Sequence, residues 1–238
     1  MSRGWVLVTA ASKGIGLAVA QRCSALGYQV VGMARSVPED VEVFADFVCV
    51  DLSDPLATAD ALRGLSDRPV TRVVNNMGLT HSALLEEVDF ADLDRLVNLN
   101  LRTTIQVTQA LLPTMKAARF GRVVNISSRA AMGKVQRTVY SAVKAGLHGM
   151  TRTWALELAP HVTVNCVAPG PIETEMFRSV NAAQSARTQH IMDTVPLRRF
   201  GAPREVAHSV AHFLDEDAGF TTGQLLHVCG GLTVGLAG

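Results

Sequence analysis

A tyrosine and a lysine stand one helical turn apart in Tyr140-Ser-Ala-Val-Lys144. At that spacing both heads can face the same side of a helix. A free phenol keeps its proton to a pKa of about 10, too high for easy exchange at neutral pH. A fixed cation beside it favours the phenolate and lowers that value. A tyrosine tuned in this way is a general acid/base. The same pair also suits an ordinary amphipathic helix, so its meaning depends on what the rest of the chain sets beside it.

Short β-branched runs alternate with longer helical patterns along the 238 residues. Strands are expected at 5–8, 29–33, 47–50, 72–74, 122–126, 162–167 and 224–228. Helices are expected at 16–26, 54–64, 90–116, 140–158 and 204–214. Asp54 followed by Pro55 is a good start signal for the second helix. Uninterrupted apolar strands between helices imply a parallel sheet covered on both faces. The expected architecture is α/β: a doubly wound, Rossmann-type, three-layer fold with a seven-stranded parallel sheet in one domain, 1–238. Ligands of such folds sit beyond the carboxyl ends of the strands.

Six expected strand ends carry polar or Gly/Pro-rich turns. The first runs into Thr9, Ser12, Lys13, Gly14, Ile15 and Gly16 and then a helix, where glycines let backbone N–H groups approach a pyrophosphate. After the second comes Arg35, placed where a ribose-reading residue belongs. A cation there meets the 2′-phosphate of NADP, whereas an acid would read the 2′-hydroxyl of NAD. Lys13 can reach the same phosphate, and the alternative is that both are solvated loop charges. After the third comes Asp51-Leu52, where the carboxylate either accepts from an adenine amino group or caps a turn. The fourth ends in Asn75-Asn76-Met77-Gly78, a polar turn that can pass under the adenine ribose. The fifth ends in Ser127-Ser128, and the sixth in Pro169-Gly170-Pro171-Ile172-Glu173-Thr174.

Taken together, these motifs and Asn100 resemble the short-chain dehydrogenase/reductase family over essentially the whole chain. Within it the chain looks most like the 3-oxoacyl-(acyl carrier protein) reductases, through the stretches 121–128, 164–170 and 223–231. The resemblance implies that Tyr140 protonates a carbonyl oxygen while hydride arrives from a nicotinamide. It implies that Ser128 rather than Ser127 positions that oxygen, because the family's working serine is the second of the pair. It makes Lys144 the ligand of the nicotinamide ribose and the cation that acidifies Tyr140. Asn100 would hold a relay water. Thr9, Asn76, Met77, Gly78, Pro169, Gly170, Ile172 and Thr174 would complete the cofactor site. NADP(H) is the expected cofactor, with NAD as the alternative.

The chain departs from the family pattern at Ala10 (a glycine in the family), at Met77 (an alanine) and at Cys229 (an acid or amide). A methyl at position 10 is tolerable only without a positive φ. Of the two basic residues expected to meet an acidic carrier protein, Arg119 is present and the second is replaced by Pro160-His161. Arg129 and Lys134 can substitute or be rim charges. Residues 171–200 read as a substrate lid or an ordinary surface helix. The substrate is therefore a 3-oxoacyl thioester or a free alcohol, sugar or aromatic ketone. A silent nucleotide-binding subunit is opposed by the presence of Asn100, Ser128, Tyr140 and Lys144. The family likeness also implies a homodimer or homotetramer through the helices 97–115 and 140–158, which are apolar on more than one face.

Composition narrows the classes further. With 48% hydrophobic and 18% charged residues the chain can bury a large core, and a net charge of +1 gives no global attraction to nucleic acid or membrane. Cys23, Cys49, Cys166 and Cys229 lie far apart and read as buried small residues of a reducing compartment. The seven histidines show no metal-binding spacing, so no metal is expected. No run approaches the length of a membrane span and no signal peptide opens the chain, so a cytoplasmic location is expected.

Overall fold

The structure, a computed structural model, describes residues 3–180 and 185–235. Residues 181–184 of the expected lid, and the first two and last three residues of the expected domain, lie outside the described residues. Seven strands, β1 (Trp5–Thr9), β2 (Gln29–Ala34), β3 (Asp46–Cys49), β4 (Val70–Asn75), β5 (Gly121–Ile126), β6 (Val162–Pro169) and β7 (Leu225–Val228), form one sheet. Their order is β3-β2-β1-β4-β5-β6-β7, and every pairing is parallel. The order reverses between β1 and β4, and that switch opens a crevice at the carboxyl ends of the strands.

Side chains alternate across the sheet, so each strand feeds two cores. Val6 and Val8 pack with Val19 and Ala20 of α1 (Gly14–Ala25) and Val206, Val210 and Phe213 of α8 (Pro203–Leu214). Leu7 points the other way, into a core with Leu62 of α2 (Pro55–Arg63), Val107 and Leu111 of α4 (Thr103–Ala117) and Ala155 of α5 (Thr138–Glu157). This is the expected doubly wound, three-layer arrangement.

The largely helical stretch expected over 90–116 is helical throughout, with one irregular turn inside it. α3 (Phe90–Val97) passes into a π-helical turn over Asn98–Arg102 before α4 begins. The turn is held from outside: Asn98 Nδ2 donates to Ser53 O at 2.9 Å, and Thr103 Oγ1 to Leu52 O at 2.9 Å. Such turns concentrate at functional sites, and this one carries Asn100. Two further helices, α6 (Glu175–Val180) and α7 (Ala186–Thr194), occupy the expected lid.

Behind the crevice a buried polar chain joins four elements. Asn75 Nδ2 on β4 donates to Thr108 Oγ1 of α4 at 3.0 Å and to Asn125 Oδ1 of β5 at 2.9 Å. Asn125 Nδ2 in turn donates to Thr151 Oγ1 of α5 at 2.9 Å. Buried polar groups cost stability unless paired, so this chain specifies how α4 and α5 seat on the two central strands. Asn125→Ala leaves Asn75 Nδ2 with Thr108 alone and takes from Thr151 Oγ1 the donor it accepts from. We expect a loss of about 2–3 kcal/mol, read as a lower urea midpoint at unchanged m-value. A loss within a few tenths of a kcal/mol would show that the chain does not hold the helices.

Candidate active site

A cavity of about 690 Å³ lies at the carboxyl ends of the strands. Its wall includes Ser12, Lys13, Gly14, Ile15, Arg35, Leu52, Asn76, Met77 and Gly78 from the β1–β4 side. Ser128, Tyr140, Lys144, Pro169, Gly170, Ile172 and Thr174 come from the β5–β6 side. The sequence-expected residues are thus largely brought together. Thr9, Gly16, Asp51 and Asn100 stand off the wall and act on it from behind or beside it.

Each of these four has a structural explanation. Thr9 Oγ1 accepts from the Asn76 and Met77 amides, both at 2.9 Å, and so fixes the turn after β4. A Cβ at Gly16 would stand 2.2 Å from Ala10 O, so only glycine lets α1 approach the turn after β1. The Asp51 carboxylate accepts from Ser53 N at 2.9 Å and Ser53 Oγ at 2.7 Å, which hold its pKa below the usual range with help from Arg35. Through that one oxygen, Oδ1, it caps its turn. Asn100 is fully buried, with Nδ2 donating to Leu96 O at 2.9 Å and Leu79 O at 3.1 Å. Its Oδ1 has no protein partner. A Cβ at Gly78 would lie 2.9 Å from Lys144 Nζ and 3.0 Å from that Oδ1, so both atoms flank the same small residue.

The residues present fit a phosphate-bearing dinucleotide. The N-terminus of α1 has no side-chain cap and no acid in its first turn, and Lys13 and Gly14 at that end line the cavity. Its unpaired N–H groups and dipole favour an anion. Arg35 and Lys13 add two cations on the same wall. One departure carries a cost: Ala10 adopts φ 51°, the left-handed region. A side chain there costs about 1–2 kcal/mol, so the methyl that replaces glycine strains the turn.

On the opposite wall, consecutive residues at the end of β5 meet α5. Lys144 Nζ donates to Ile126 O at 2.9 Å. Ser127 Oγ donates to Lys144 O at 2.8 Å and lies 2.8 Å from His148 Nε2. The single hydroxyl proton of Ser127 goes to that carbonyl, so His148 Nε2 carries a hydrogen and donates to Ser127. Burial, His227 and Arg152 all pull the His148 pKa below its usual value, consistent with a neutral ring. Ser127 is thereby spent on structure. Ser128 Oγ accepts from Ala130 N at 3.1 Å, and its hydroxyl favours the Tyr140 phenolate, so of the two serines it is the one set toward the phenol.

The electrostatics differ from the sequence expectation. Burial pushes the Tyr140 pKa up, and the Ser128 hydrogen bond and the Arg137 charge only partly oppose it. Lys144 Nζ sits 5.9 Å from the Tyr140 ring centroid, and the lowering influences on the phenol come from Ser128 and Arg137. Lys144 is itself pulled down to about 8, because burial penalises its charge. Arg137 is the cation that sequence reasoning missed. Its place one turn ahead of Tyr140, at the same kind of helical spacing that singled out Lys144, was the available signal. Phe177 of α6 and His190 of α7 also line the cavity, and no spacing rule pointed to them.

The comparisons agree with this geometry. The family model described as enoyl-(acyl carrier protein) reductase matches residues 9–233. A 3-oxoacyl-[acyl-carrier-protein] reductase of Vibrio harveyi is 35% identical, over 95% of this chain and 96% of that protein. The solved 3-oxoacyl (acyl-carrier-protein) reductase of Agrobacterium tumefaciens C58, with NADP bound, superposes with a TM-score of 0.90 at 28% identity, covering 96% of this chain and 94% of that one. The ligand-free aldohexose dehydrogenase of Thermoplasma acidophilum gives a TM-score of 0.92 at 27% identity, covering 99% of this chain and 96% of that one. The chain belongs to the short-chain dehydrogenase/reductase family. It is an oxidoreductase of that family, and its relatives reach from carrier-protein reductases to a sugar dehydrogenase.

The buried lysine makes stability depend on pH. Lys144 has a pKa of 10.5 when unperturbed and about 8 when folded. Between those values the unfolded chain holds the proton and the folded chain does not, so this group's contribution to stability rises with pH. Below about 8 it is charged in both states and the cost of burying the charge is constant. In unfolding experiments, the difference between the parent and Lys144→Met should move in the parent's favour as pH rises above about 8. A difference flat with pH would show that burial does not lower this pKa.

Proposed function

We propose that the protein is an NADPH-dependent reductase that converts a ketone to a secondary alcohol, with a 3-oxoacyl thioester as the favoured substrate. The carrying observation is that Ser128, Tyr140 and Lys144 share one cavity wall while Lys13 and Arg35 stand on the other. When bound, the nicotinamide supplies the hydride. Ser128 donates to the substrate oxygen and orients it. Tyr140 releases its phenolic proton to that oxygen. A raised phenol pKa suits this direction, because the group must hold a proton in order to give one. Lys144 binds the ribose hydroxyls and feeds a proton back to Tyr140. The unpartnered Asn100 Oδ1 is the acceptor that holds a relay water beside Lys144.

Arg35 and Lys13 read the 2′-phosphate, which favours NADP over NAD; the bound NADP of the Agrobacterium reductase supports this assignment. Arg119 is the residue that would meet an acyl carrier protein. The aldohexose dehydrogenase likeness favours a second reading, a dehydrogenase or reductase for a free alcohol or sugar. In either case the chain assembles as a homodimer or homotetramer. Ile105 of α4, Leu156 of α5 and Leu226 of the edge strand β7 are exposed apolar residues that such contacts would cover. No helix among the described residues is long and apolar enough to cross a membrane.

Two substitutions test the reading. Tyr140→Phe keeps cofactor binding and lowers kcat by about 100-fold or more, and a near-parental rate would remove the phenol from the mechanism. Arg35→Asp shifts the kcat/KM preference from NADPH toward NADH, and an unchanged preference would show that Arg35 does not read the phosphate.

A further inference from the structure

We infer that the site selects carbonyl substrates carrying an anionic oxygen group, a carboxylate or a phosphate, which is read by the loop between Ser128 and Tyr140. The inference rests on the reductase reading for the position of the reacting carbonyl, and it deepens that reading by naming the substrate class.

Six cations line the cavity: Lys13, Arg35, Arg129, Lys134, Arg137 and Lys144. Among the described lining residues Glu175 is the one carboxylate. The whole chain is nearly neutral, with 22 Lys and Arg against 21 Asp and Glu, so the excess is local to this crevice. Lys13 and Arg35 are assigned to the cofactor phosphate and Lys144 to its ribose. Arg129, Lys134 and Arg137 have no such assignment, and all three come from the one loop that joins the two catalytic elements.

That loop sets its cations toward the cavity and its long apolar residues outward. Met132 is 62% exposed and Val135 82% exposed, while Arg129 and Arg137 are half-buried on the cavity wall and Lys134, though exposed, also lines it. A pocket built for a purely apolar ketone would turn the long apolar residues inward and the cations to water. The loop is also built to hold this arrangement. Ala130 N donates to Ser128 Oγ at 3.1 Å, Arg137 N to Lys134 O at 3.2 Å, and Ala83 N to Gln136 O at 3.1 Å. Gln136 adopts φ 62°, a left-handed conformation kept by a residue other than glycine. Arg137 lies one turn before Tyr140 and favours its phenolate. A positive wall in a partly enclosed crevice concentrates anions, and guanidinium groups bind carboxylates and phosphates through strong charge-assisted hydrogen bonds.

The test titrates NADP+-saturated protein calorimetrically with matched probes and follows NADPH oxidation with the same set. One arm compares acetoacetate and levulinate with their neutral methyl esters. The other compares acetoacetyl-CoA with acetoacetyl-N-acetylcysteamine, a thioester without phosphate. In at least one arm the anion should bind about ten-fold or more tightly than its neutral partner, and the arm that shows it identifies a carboxylate or a phosphate as the source. Arg129→Gln and Lys134→Gln should shrink that ratio, and Lys134→Arg should retain it. Equal affinity within both arms, or a ratio unmoved by all three substitutions, overturns the inference. Selective anion binding with no NADPH oxidation by any probe overturns the reductase reading and leaves the anion site standing.

Discussion

The strand β5 and the helix α5 that follows it must be held in register for a proton to pass between them, and consecutive residues of this chain do that. Asn125 bonds Thr151, Ile126 O receives Lys144 Nζ, Ser127 bonds Lys144 O and meets His148, and Ser128 bonds Tyr140. Each step along β5 and its end engages α5. Proton transfer needs heavy atoms within about 3 Å, and a slip of about 1 Å can cost two orders of magnitude in rate. A single hydrogen bond would leave the helix free to pivot. The series fixes translation and rotation together, and the buried Asn75–Asn125–Thr151 chain extends it into the sheet.

The same seam shapes the site's electrostatics. Burial pushes Tyr140 and Lys144 toward their neutral forms. A phenol that keeps its proton suits reduction, where it gives that proton away. Ser128 and then Arg137 favour the phenolate, and Arg137 stands on the loop that also carries Arg129 and Lys134. Acid/base tuning and substrate charge thus meet in one short segment: an anion bound there would offset the positive field that favours the phenolate.

Much of this architecture was legible because it rests on local periodicity and on glycine, proline and polar residues at strand ends. The seven strands appear within a few residues of their expected places, and most of the expected cofactor and catalytic residues reach one cavity. What escaped depended on distant partners. The π-helical turn at Asn98–Arg102 is held by Asn98 and Thr103, which bind carbonyls of the loop after β3. Three cysteines are buried as expected, but Cys49 is exposed at the end of β3, which lies at the sheet edge. Arg72 and Arg122, which open two of the expected strands, are both buried. Their guanidiniums lie against Phe120, and their Nε–H groups donate to Leu214 O and Asp215 O.

The order of residue types determined the layered sheet, the side of it that carries chemistry, and the identity of the tyrosine, lysine and serine. Apolar period, chain punctuation and helical spacing are all properties of neighbours along the chain. Tertiary structure decided that Ser127 is tied to Lys144 O, that burial raises the Tyr140 pKa, that Asp51 caps its own turn, and that Ala10 is held in a left-handed conformation. Those outcomes depend on burial and on hydrogen-bond partners from other elements, and neither exists until the sheet and helices have closed on one another.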